Sequence, residues 1–534
     1  MDLLPSVHVD TFCRDRLPPA DQWPELRFVL PELAYPARLN CATALLDRVI
    51  AEHGGDRPCL HAPDADTWSY DDLLATANRI AHALVEDLGI VPGNRVLLRG
   101  PNNQWLTACW FGVLKTGAVA VTTMPLLRPG ELATIHEIAR IDLALVDERF
   151  LSGTEGLAGD LGVQVVPFGG STGLSELTAD KPASYDDVAT SSDDVALLAF
   201  TSGTTGRPKA TMHFHRDVLA ICDTFSRHVL RPSPDDVFTG TPPYAFTFGL
   251  GGVLLFPLHA GASTVLVEKA TPPELARIID EFGVTTCFTA PTAYKAMLAA
   301  GATLPSLKAA VSAGEHLPAA TWEAFRDATG VRIIDGIGAT EMLHIFISAA
   351  GDDIRPGSTG RAVPGYTATV LDEDGAEGAP GEPGRLAVKG PTGCRYLADP
   401  RQETYVKNSW NITGDTFSRD EDGYFWYHAR SDDMIISSGY NIAAPEVEEA
   451  LLKHPEVAEC AVVGVPDEAR GSVVKAYVVL TDASLGTPEK AHELQDFAKA
   501  EIAPYKYPRA LEFVDDLPRT ATGKLQRFRL REDS

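Results

Sequence analysis

A run of hydroxyl-bearing and small residues, TSGTTGRPK, occupies positions 201–209 and ends in a lysine. Few of its side chains could pack in a core, whereas its hydroxyls, unhindered backbone amides and ammonium group suit an anionic ligand such as a phosphate. Spacing excludes a Walker P-loop, because Gly203 and Gly206 enclose only two residues and the lysine does not follow the second glycine directly. The candidate phosphate-binding residues are Thr201, Ser202, Gly203, Thr204, Thr205, Gly206 and Lys209.

Five further segments with residues suited to nucleotide chemistry follow this run. They are SAGEHLP (312–318), DGIGATE (335–341), TGD (413–415), ARSDD (429–433) and PRTATGKLQR (518–527). Together with residues 201–209 they resemble, in content and order, the motifs of the adenylate-forming superfamily, which includes acyl- and aryl-CoA ligases, peptide-synthetase adenylation domains and luciferases. The resemblance covers essentially the whole chain. Ala429 departs from it, because the family usually has glycine before the arginine.

The resemblance implies a site for ATP and Mg²⁺. Residues 201–209 would close over the β- and γ-phosphates, and Glu341 would hold Mg²⁺, for which a single carboxylate is sufficient when phosphates supply other ligands. Asp415 would accept hydrogen bonds from the ribose hydroxyls, with Arg430 nearby. The residues expected around adenine and the phosphates are Gly314, Glu315, Asp335, Gly336, Ile337 and Thr340.

Two half-reactions follow from the same resemblance. A carboxylate would attack the α-phosphate of ATP and give an acyl adenylate and pyrophosphate, with Thr340, Glu341 and Lys524 as the catalytic residues. The C-terminal domain would then turn about Asp432 and present another face to the adenylate. No general base for the thiol is apparent, and none is needed if a thiolate attacks an activated acyl group. The residues expected along the pantetheine arm of coenzyme A are Ser437, Ser438, Gly439 and Tyr440.

The sequence leaves the thiol acceptor open between coenzyme A and the phosphopantetheine of a carrier protein, because both present the same arm. A basic patch for the 3′-phosphate would favour coenzyme A, and Lys475, Lys506 and Arg509 are candidates for it. A non-catalytic nucleotide-binding module is a third alternative. The joint presence of the expected metal carboxylate, ribose carboxylate and adenylation lysine argues against it.

The acid-binding region is expected in PPYAFTFGLGG (242–252) and after Glu341, where the sequence looks most similar to benzoate- and 2-aminobenzoate-CoA ligases. Flat aromatic and β-branched walls suit a planar ring. Residues 242–252 contain no acidic side chain, which counts against an α-amino acid substrate. A hydroxyl at Thr247 could bond an ortho-amino group or its own backbone, and His344 could orient the acid or fill the wall. The expected pocket residues are Phe246, Thr247, Phe248, Gly249, His344 and Ile345.

His213 and His215 have the residue type of metal ligands. We expect them to share one face of a strand, but no third ligand is visible in the sequence, so a metal site is not predicted there. The stretch 218–229 that follows has the apolar spacing of a packed helix.

Composition excludes some partners. The chain has 534 residues and a formal net charge of −27, which argues against non-specific binding to nucleic acid or to an anionic membrane but not against ATP or coenzyme A. Eight scattered cysteines without a C-x-x-C pair fit a reducing compartment, and no signal peptide is visible, so a cytoplasmic location is expected. The resemblance suggests a homodimer from family habit alone.

An uncharged run from Val237 to Val267 is long enough to cross a bilayer. Its prolines, glycines and His259 interrupt it, so we predict a buried helix at 249–258 and a buried strand at 263–267 instead of a membrane span.

Apolar spacing predicts an α/β fold in two domains. Residues 1–430 would form a large N-terminal domain of α/β subdomains, with a β-rich subdomain after residue 351 where Pro/Gly turns separate short strands. Residues 431–534 would form a small α+β domain, and the resemblance implies that it is mobile. The predicted helices are 70–88, 103–116, 444–454 and 488–502, and the predicted strands are 95–98, 118–122, 143–146, 163–166, 459–465 and 472–480.

Overall fold

The computed structural model describes residues 3–201, 208–430, 434–437, 440–467, 471–502, 506–519 and 525–532. Over these ranges the chain forms 25 β-strands. They are β1 (Pro58–Ala62), β2 (Ala65–Ser69), β3 (Arg95–Arg99), β4 (Val119–Thr123), β5 (Leu143–Asp147), β6 (Gln164–Phe168), β7 (Val195–Thr201), β8 (Lys209–Phe214), β9 (Val237–Gly240), β10 (Ser263–Val265), β11 (Thr286–Thr289), β12 (Ala309–Ser312), β13 (Ile333–Gly338), β14 (Ile345–Ser348), β15 (Arg361–Ala362), β16 (Thr367–Leu371), β17 (Gly384–Lys389), β18 (Val406–Lys407), β19 (Trp410–Arg419), β20 (Phe425–Arg430), β21 (Met434–Ser437), β22 (Tyr440–Ala443), β23 (Val457–Asp467), β24 (Gly471–Leu480) and β25 (Ala510–Phe513).

The same ranges contain 16 α-helices, some of which continue into wider π-helical turns, such as Cys222–Leu230 after the seventh helix. The helices are α1 (Arg48–His53), α2 (Tyr70–His82), α3 (Gln104–Lys115), α4 (Pro129–Ala139), α5 (Glu155–Ala158), α6 (Leu174–Thr178), α7 (His215–Ile221), α8 (Thr247–Gly249), α9 (Phe256–His259), α10 (Pro272–Glu281), α11 (Pro291–Ala299), α12 (Ala319–Thr329), α13 (Gln402–Tyr405), α14 (Ala444–Leu452), α15 (Pro488–Glu501) and α16 (Arg527–Glu532).

The first sheet has the strand order β6-β5-β3-β4-β7-β8. Its neighbours run parallel except for the antiparallel hairpin of β7 and β8, which frames the hydroxyl-rich run. Side-chain caps fix where the adjoining helices begin: Ser69 accepts from the Asp72 amide at 3.1 Å before α2, and Asn103 accepts from the Leu106 amide at 2.8 Å before α3. The predicted alternation of helices and strands is confirmed here.

The second sheet has the order β15-β14-β13-β12-β11-β9-β10-β1-β2. Strands β9 to β13 run parallel, and β13 turns back as an antiparallel hairpin with β14. Because parallel strands end at the same edge of a sheet, the segments that follow β12 and β13 emerge side by side. This edge carries the predicted nucleotide residues between Gly314 and Glu341.

Short antiparallel strands make up the rest of the chain. Strands β16, β17, β19, β18 and β20 form a five-stranded sheet, which is the predicted β-rich subdomain. Beyond it, the β21–β22 hairpin, the sheet β23-β24-β25 and helices α14 and α15 form an α+β unit. The predicted fold class is confirmed, and the domain boundary at residue 430 stays a prediction.

Two details of the predictions need correction. The predicted strand at 263–267 ends at Val265, and the predicted buried helix at 249–258 begins two residues earlier, at Thr247. No helix in the described ranges combines the length and the apolar character that a bilayer crossing requires.

Candidate active site

Lys209 and Glu341 form an ion pair at the centre of the site. Lys209 ends the hydroxyl-rich run and begins β8, and its Nζ lies 2.9 Å from Oε1 of Glu341. Glu341 belongs to the short 3₁₀ turn Thr340–Met342 between β13 and β14 and is 6% exposed. A carboxylate at this depth needs a cation beside it, because an unpaired buried charge is costly. Two residues predicted from separate motifs are therefore in contact.

Tyr396 is a member of this cluster that the sequence analysis missed. Its hydroxyl donates to Oε1 of Glu341 and accepts from Nζ of Lys209. Burial, reinforced by the charge of Glu341, raises the pKa of the Tyr396 hydroxyl, so it stays protonated and can donate. The tyrosine backbone is held in turn, because its N–H donates to Oε1 of Gln402 at 2.9 Å. The only signal in the sequence was an aromatic residue inside CRYLADPRQET (394–404).

His213 supports the turn that carries Thr340 and Glu341. Its Nε2 lies 2.8 Å from the carbonyl oxygen of Thr340, and since a carbonyl only accepts, this nitrogen carries the proton. Burial, with a smaller contribution from nearby Arg395, lowers the pKa of His213 to about 3, so the ring is neutral. The strand after the hydroxyl-rich run is thus fastened to the turn at two points, by Lys209 and by His213.

The expectation that His213 and His215 share a strand face is wrong. Strand β8 ends at Phe214, whose amide donates to Oδ2 of Asp217 at 3.0 Å and so starts α7 at His215. Nδ1 of His215 accepts from the backbone amide of Cys41 at 3.2 Å, inside the core. The two rings therefore have separate partners, and burial lowers the pKa of His215 to about 3 as well.

The predicted adenine-side residues lie at the edge formed by β12 and β13. Ser312 is paired with Asp335 across the two parallel strands, and Gly314 follows with a φ of 87°, a conformation that favours glycine. Burial raises the pKa of the Asp335 carboxyl to about 7. Its Oδ1 is buried and has no hydrogen-bond partner within the described part of the chain. Glu315, Gly336 and Ile337 lie on the same two segments.

Asp415 lies in β19 and is 8% exposed. Its position is set by the sheet, since it is paired with Arg430 of β20, and its amide donates to Oγ1 of Thr413 at 3.2 Å. The backbones of the two residues predicted near ribose are therefore neighbours. The side chain of Arg430 lies outside the described part of the chain.

A cage of aromatic rings surrounds His344, which is 2% exposed. The ring centroid of His344 lies 4.6 Å from that of Phe256, 5.4 Å from Phe225, 5.8 Å from Phe248 and 6.3 Å from Phe288. Both ring nitrogens are buried without a hydrogen-bond partner among the described residues. Burial lowers the pKa of His344 to about 3, so the wall it forms is uncharged at neutral pH.

The backbone conformation around His344 allows its ring to pack inside the aromatic cage. Leu343 adopts a φ of 68°, which is uncommon for a side chain of this size and turns the chain sharply after Glu341. A Cβ at Gly251 would lie 2.3 Å from Cδ2 of His344, so only glycine admits the ring there. Likewise, a Cβ at Gly338 would lie 2.8 Å from the His344 carbonyl.

The other predicted acid-pocket residues lie close by. Thr247 begins α8 at 9% exposure, and Phe248 extends its ring to His344. Gly249 packs against backbone, because a Cβ there would lie 2.3 Å from the Pro242 carbonyl oxygen. Ile345 begins β14 and is buried. Phe246 is half-buried immediately before α8.

The remaining predicted residues are described in part or lie outside the described part of the chain. Thr201 ends β7 and Ser437 ends β21, where it is paired with Tyr440 across the hairpin. The side chain of Tyr440 lies outside the described part of the chain, as do the following residues in full: Ser202, Gly203, Thr204, Thr205, Gly206, Asp432, Ser438, Gly439 and Lys524.

The candidate cations for a CoA phosphate have partners within the protein. Lys475 lies 2.9 Å from Glu512, Lys506 lies 2.5 Å from Glu446, and Arg509 donates to the Tyr507 hydroxyl at 3.0 Å. A phosphate would have to compete with carboxylates for both lysines. The three residues stay candidates.

The C-terminal unit contacts the adenine-side segment. Nε2 of His316 lies 2.8 Å from Oε1 of Glu449 in α14, and Nη1 of Arg519 lies 4.0 Å from Oε1 of Glu315. Lys295 donates to the Ala458 carbonyl at 3.2 Å. These contacts bring the segment that precedes Lys524 toward the residues expected around the nucleotide.

The comparisons with known proteins identify the family. A family model described as AMP-binding enzyme matches residues 46–396, and a second, described as AMP-binding enzyme C-terminal domain, matches residues 446–524. The chain is 35% identical to a benzoate–CoA ligase from Thauera aromatica over 94% of its own length and 97% of the relative's. It is 33% identical to a 3-hydroxybenzoate–CoA ligase from Aromatoleum sp. (strain CIB), covering 92% and 97% of the two chains.

The fold is also similar to solved structures of CoA ligases that act on aromatic acids. The fold is similar to that of the anthranilate CoA ligase AuaEII in complex with anthranoyl-AMP, with a TM-score of 0.89, 35% identity, and 94% and 99% of the two chains covered. A benzoate CoA ligase from Burkholderia xenovorans LB400 has a TM-score of 0.85 at 32% identity, over 92% and 100% of the two chains. The chain belongs to the AMP-binding enzyme family, in the adenylate-forming superfamily, and a benzoate–CoA ligase and an anthranilate CoA ligase are among its relatives.

Proposed function

We propose that this enzyme activates an aromatic carboxylic acid with ATP and transfers the acyl group to coenzyme A, releasing AMP and pyrophosphate. The observation that carries the proposal is the β13–β14 hairpin. It bears Asp335 on β13, and both Glu341 and His344 in the turn that joins β13 to β14. Nucleotide and acid would therefore lie on one rigid element, which favours attack because the reacting groups are held close together.

The polar end of the hairpin turn, at Glu341, suits a nucleotide with Mg²⁺. The Glu341 carboxylate is nearly buried and already has a cation, Lys209, against it. Mg²⁺ is a hard cation that takes carboxylate and phosphate oxygens and needs few protein ligands, so this donor set fits it. Bound there, it would offset the charge of the phosphates. Thr340 and Lys209 would bind phosphate oxygens, and Lys524 would stabilise the charge that develops during adenylation.

The apolar end of the hairpin turn, at His344, suits a flat ring. Four phenylalanine rings lie around the neutral imidazole of His344, and none of residues 242–252 is acidic. Aromatic side chains pack best against planar groups, and a site without a carboxylate does not suit a substrate ammonium.

Within this class we favour 2-aminobenzoate or benzoate. The unpartnered nitrogens of His344 and the hydroxyl of Thr247 are the polar atoms that could recognise an ortho-amino group. Similarity to an anthranilate CoA ligase and to benzoate–CoA ligases supports the same class. Coenzyme A is the preferred acceptor because the relatives named above are CoA ligases, and a carrier-protein thiol is the alternative.

The test is thioester formation by the purified protein with ATP, Mg²⁺ and coenzyme A. The acids would be benzoate, 2-aminobenzoate, 3-hydroxybenzoate, cinnamate and octanoate, and the readouts pyrophosphate release and acyl-CoA by mass spectrometry. We expect aryl-CoA, with octanoate at least tenfold slower, about the cost of placing the wrong apolar shape in a pocket. Pyrophosphate release without a CoA thioester would point to a carrier protein. Preference for octanoate would contradict the aromatic pocket.

A further inference from the structure

Three side chains from three separate segments meet at Glu341, and we call them the Glu341 cluster: Lys209 from β8, Glu341 from the hairpin turn, and Tyr396 from the segment before α13. Lys209 Nζ lies 2.9 Å from Oε1 of Glu341, and the Tyr396 hydroxyl contacts both groups. The motifs accounted for the first two residues, and Tyr396 has no role assigned by them.

The cation and the tyrosine in the cluster differ in what they can do when a metal arrives. An ammonium and a divalent cation repel each other, so both cannot remain against the same carboxylate oxygen at low cost. Lys209 is the last residue of the run expected to bind phosphate and has a flexible four-carbon stem, so it can exchange one anion for another.

Tyr396, by contrast, is neutral and fixed. Its ring is fully buried and makes an edge contact with Tyr405 at a centroid distance of 5.8 Å. Its backbone amide is held by Gln402. The preceding residue, Arg395, is completely buried and is anchored by an ion pair with Asp217. A hydroxyl on such a support keeps donating to Glu341 whichever cation the carboxylate holds.

We propose that Tyr396 is a positioning residue, whose hydroxyl orients the Glu341 carboxylate for the divalent cation that accompanies ATP, and that Lys209 is the counter-cation which that metal displaces. The inference rests on the proposed function, in which Glu341 faces Mg²⁺. Partners that orient a metal-binding carboxylate usually change metal affinity by about 10- to 100-fold when removed.

The experiment measures binding, so it does not depend on turnover. Isothermal titration would compare α,β-methylene-ATP with Mg²⁺ and in EDTA for wild type, Tyr396→Phe and Tyr294→Phe. Tyr294 is the matched control, because it is a buried tyrosine whose hydroxyl donates at 2.7 Å to the Cys287 carbonyl, away from the cluster. We expect Tyr396→Phe to weaken the magnesium complex about tenfold or more, with metal-free binding within twofold of wild type. The control should change neither.

Two outcomes would overturn the proposal: unchanged affinity of Tyr396→Phe for the magnesium complex, or an equal loss with and without Mg²⁺, which would indicate a general structural role. If Tyr396→Phe does not fold, Lys209→Met decides. With its competing cation removed, Glu341 should bind Mn²⁺ alone about tenfold more tightly than wild type, measured by electron paramagnetic resonance. Unchanged or weaker Mn²⁺ binding would refute the displacement.

Failure of the proposed function would look different. In that case wild type would form no acyl adenylate from aryl acids, while the difference in magnesium dependence between wild type and Tyr396→Phe could still be measured.

Discussion

Glu341 and His344 lie at the two ends of the β13–β14 hairpin turn, and both are buried, but their burial is stabilised in opposite ways. At Glu341 a nearly buried charge is balanced by Lys209 and a tyrosine hydroxyl. At His344 a buried ring has no charged partner and is kept neutral by burial among four phenylalanines. The difference teaches how one hairpin can hold a polyanionic nucleotide and an aromatic acid: polar groups are paired at one end, and water is excluded at the other.

The largest expected effect comes from removing the charge at the polar end. Glu341→Gln keeps the shape but leaves no carboxylate for a divalent cation, so adenylate formation should fall by about 10²- to 10³-fold. Pyrophosphate release with a saturating aryl acid measures it. Glu377→Gln, at a surface carboxylate paired with Arg419, is the control and should stay within twofold of wild type. A loss of less than tenfold in Glu341→Gln would contradict the role of this carboxylate.

The packing at the apolar end can be disrupted by a substitution that adds no charge. Gly251→Ala would place a methyl group 2.3 Å from Cδ2 of His344, so the ring must move. Overpacking of this kind costs about 1–3 kcal/mol. We expect this cost to fall on the acid-bound enzyme, so kcat/KM for the aromatic acid should drop by about 5- to 150-fold. Affinity for Mg²⁺-ATP should not change. Gly156→Ala, at a helical position with open space around it, is the control. If nucleotide affinity fell together with kcat/KM for the acid, the two ends would not be separable.

A finer change tests polar recognition within the apolar end. Thr247→Val removes a hydroxyl at nearly constant volume, and a lost hydrogen bond is worth about 0.5–1.5 kcal/mol. We expect kcat/KM for 2-aminobenzoate to fall by about 3- to 10-fold while that for benzoate changes by less than twofold. Competition between the two acids in one reaction gives the ratio directly. An equal effect on both acids would indicate that the Thr247 hydroxyl bonds its own backbone and not the amino group of the acid.

The smallest effect is a pH dependence of stability that comes from the neutral rings. Burial lowers the pKa of His213, His215 and His344 to about 3, whereas an unfolded imidazole titrates near 6.5. The unfolded chain therefore binds more protons below about pH 6.5, and stability falls as the pH decreases from there, by about 1 kcal/mol per ring and pH unit. Thermal unfolding of His344→Phe between pH 7 and 5 should show a shallower decline than wild type.

Asp335 contributes in the opposite sense. Its folded pKa is raised to about 7, so its share of stability is present below about pH 4 and is lost as the pH rises toward 7. Asp335→Asn should therefore show a steeper decline in stability from pH 7 to 5 than wild type, the opposite of the effect of His344→Phe. A decline identical to wild type in both variants would contradict these assignments.

The sequence predicted the elements that follow from local rules. Capped helices such as α2 and the buried parallel strands of the first sheet appear close to the predicted bounds, because periodicity and capping residues determine them. Motif order placed Lys209 and Glu341 in one nucleotide site, although 132 positions separate them. Similarity of the stretch after Glu341 to benzoate-CoA ligases predicted an acid pocket at His344, and this role stays a prediction.

What the sequence did not predict depends on contacts between distant segments. Tyr396 joins the Glu341 cluster only because its segment folds against β8, and nothing local to CRYLADPRQET indicates that. Phe225, Phe256 and Phe288 complete the cage around His344 from three elements that are far apart in sequence. The break between β8 and α7 at His215 was missed because a capping aspartate, Asp217, outweighed the strand-like alternation before it.

The most direct test of the central claim, that one hairpin holds an aromatic acid beside ATP, is to look for the intermediate itself. The purified protein would be mixed with Mg²⁺-ATP and an equimolar mixture of benzoate, 2-aminobenzoate and octanoate without any thiol, quenched within one turnover and analysed by mass spectrometry. The account predicts aryl adenylate in amounts approaching the enzyme concentration, matched by pyrophosphate. Octanoyl adenylate as the main product, or no adenylate at all, would contradict it.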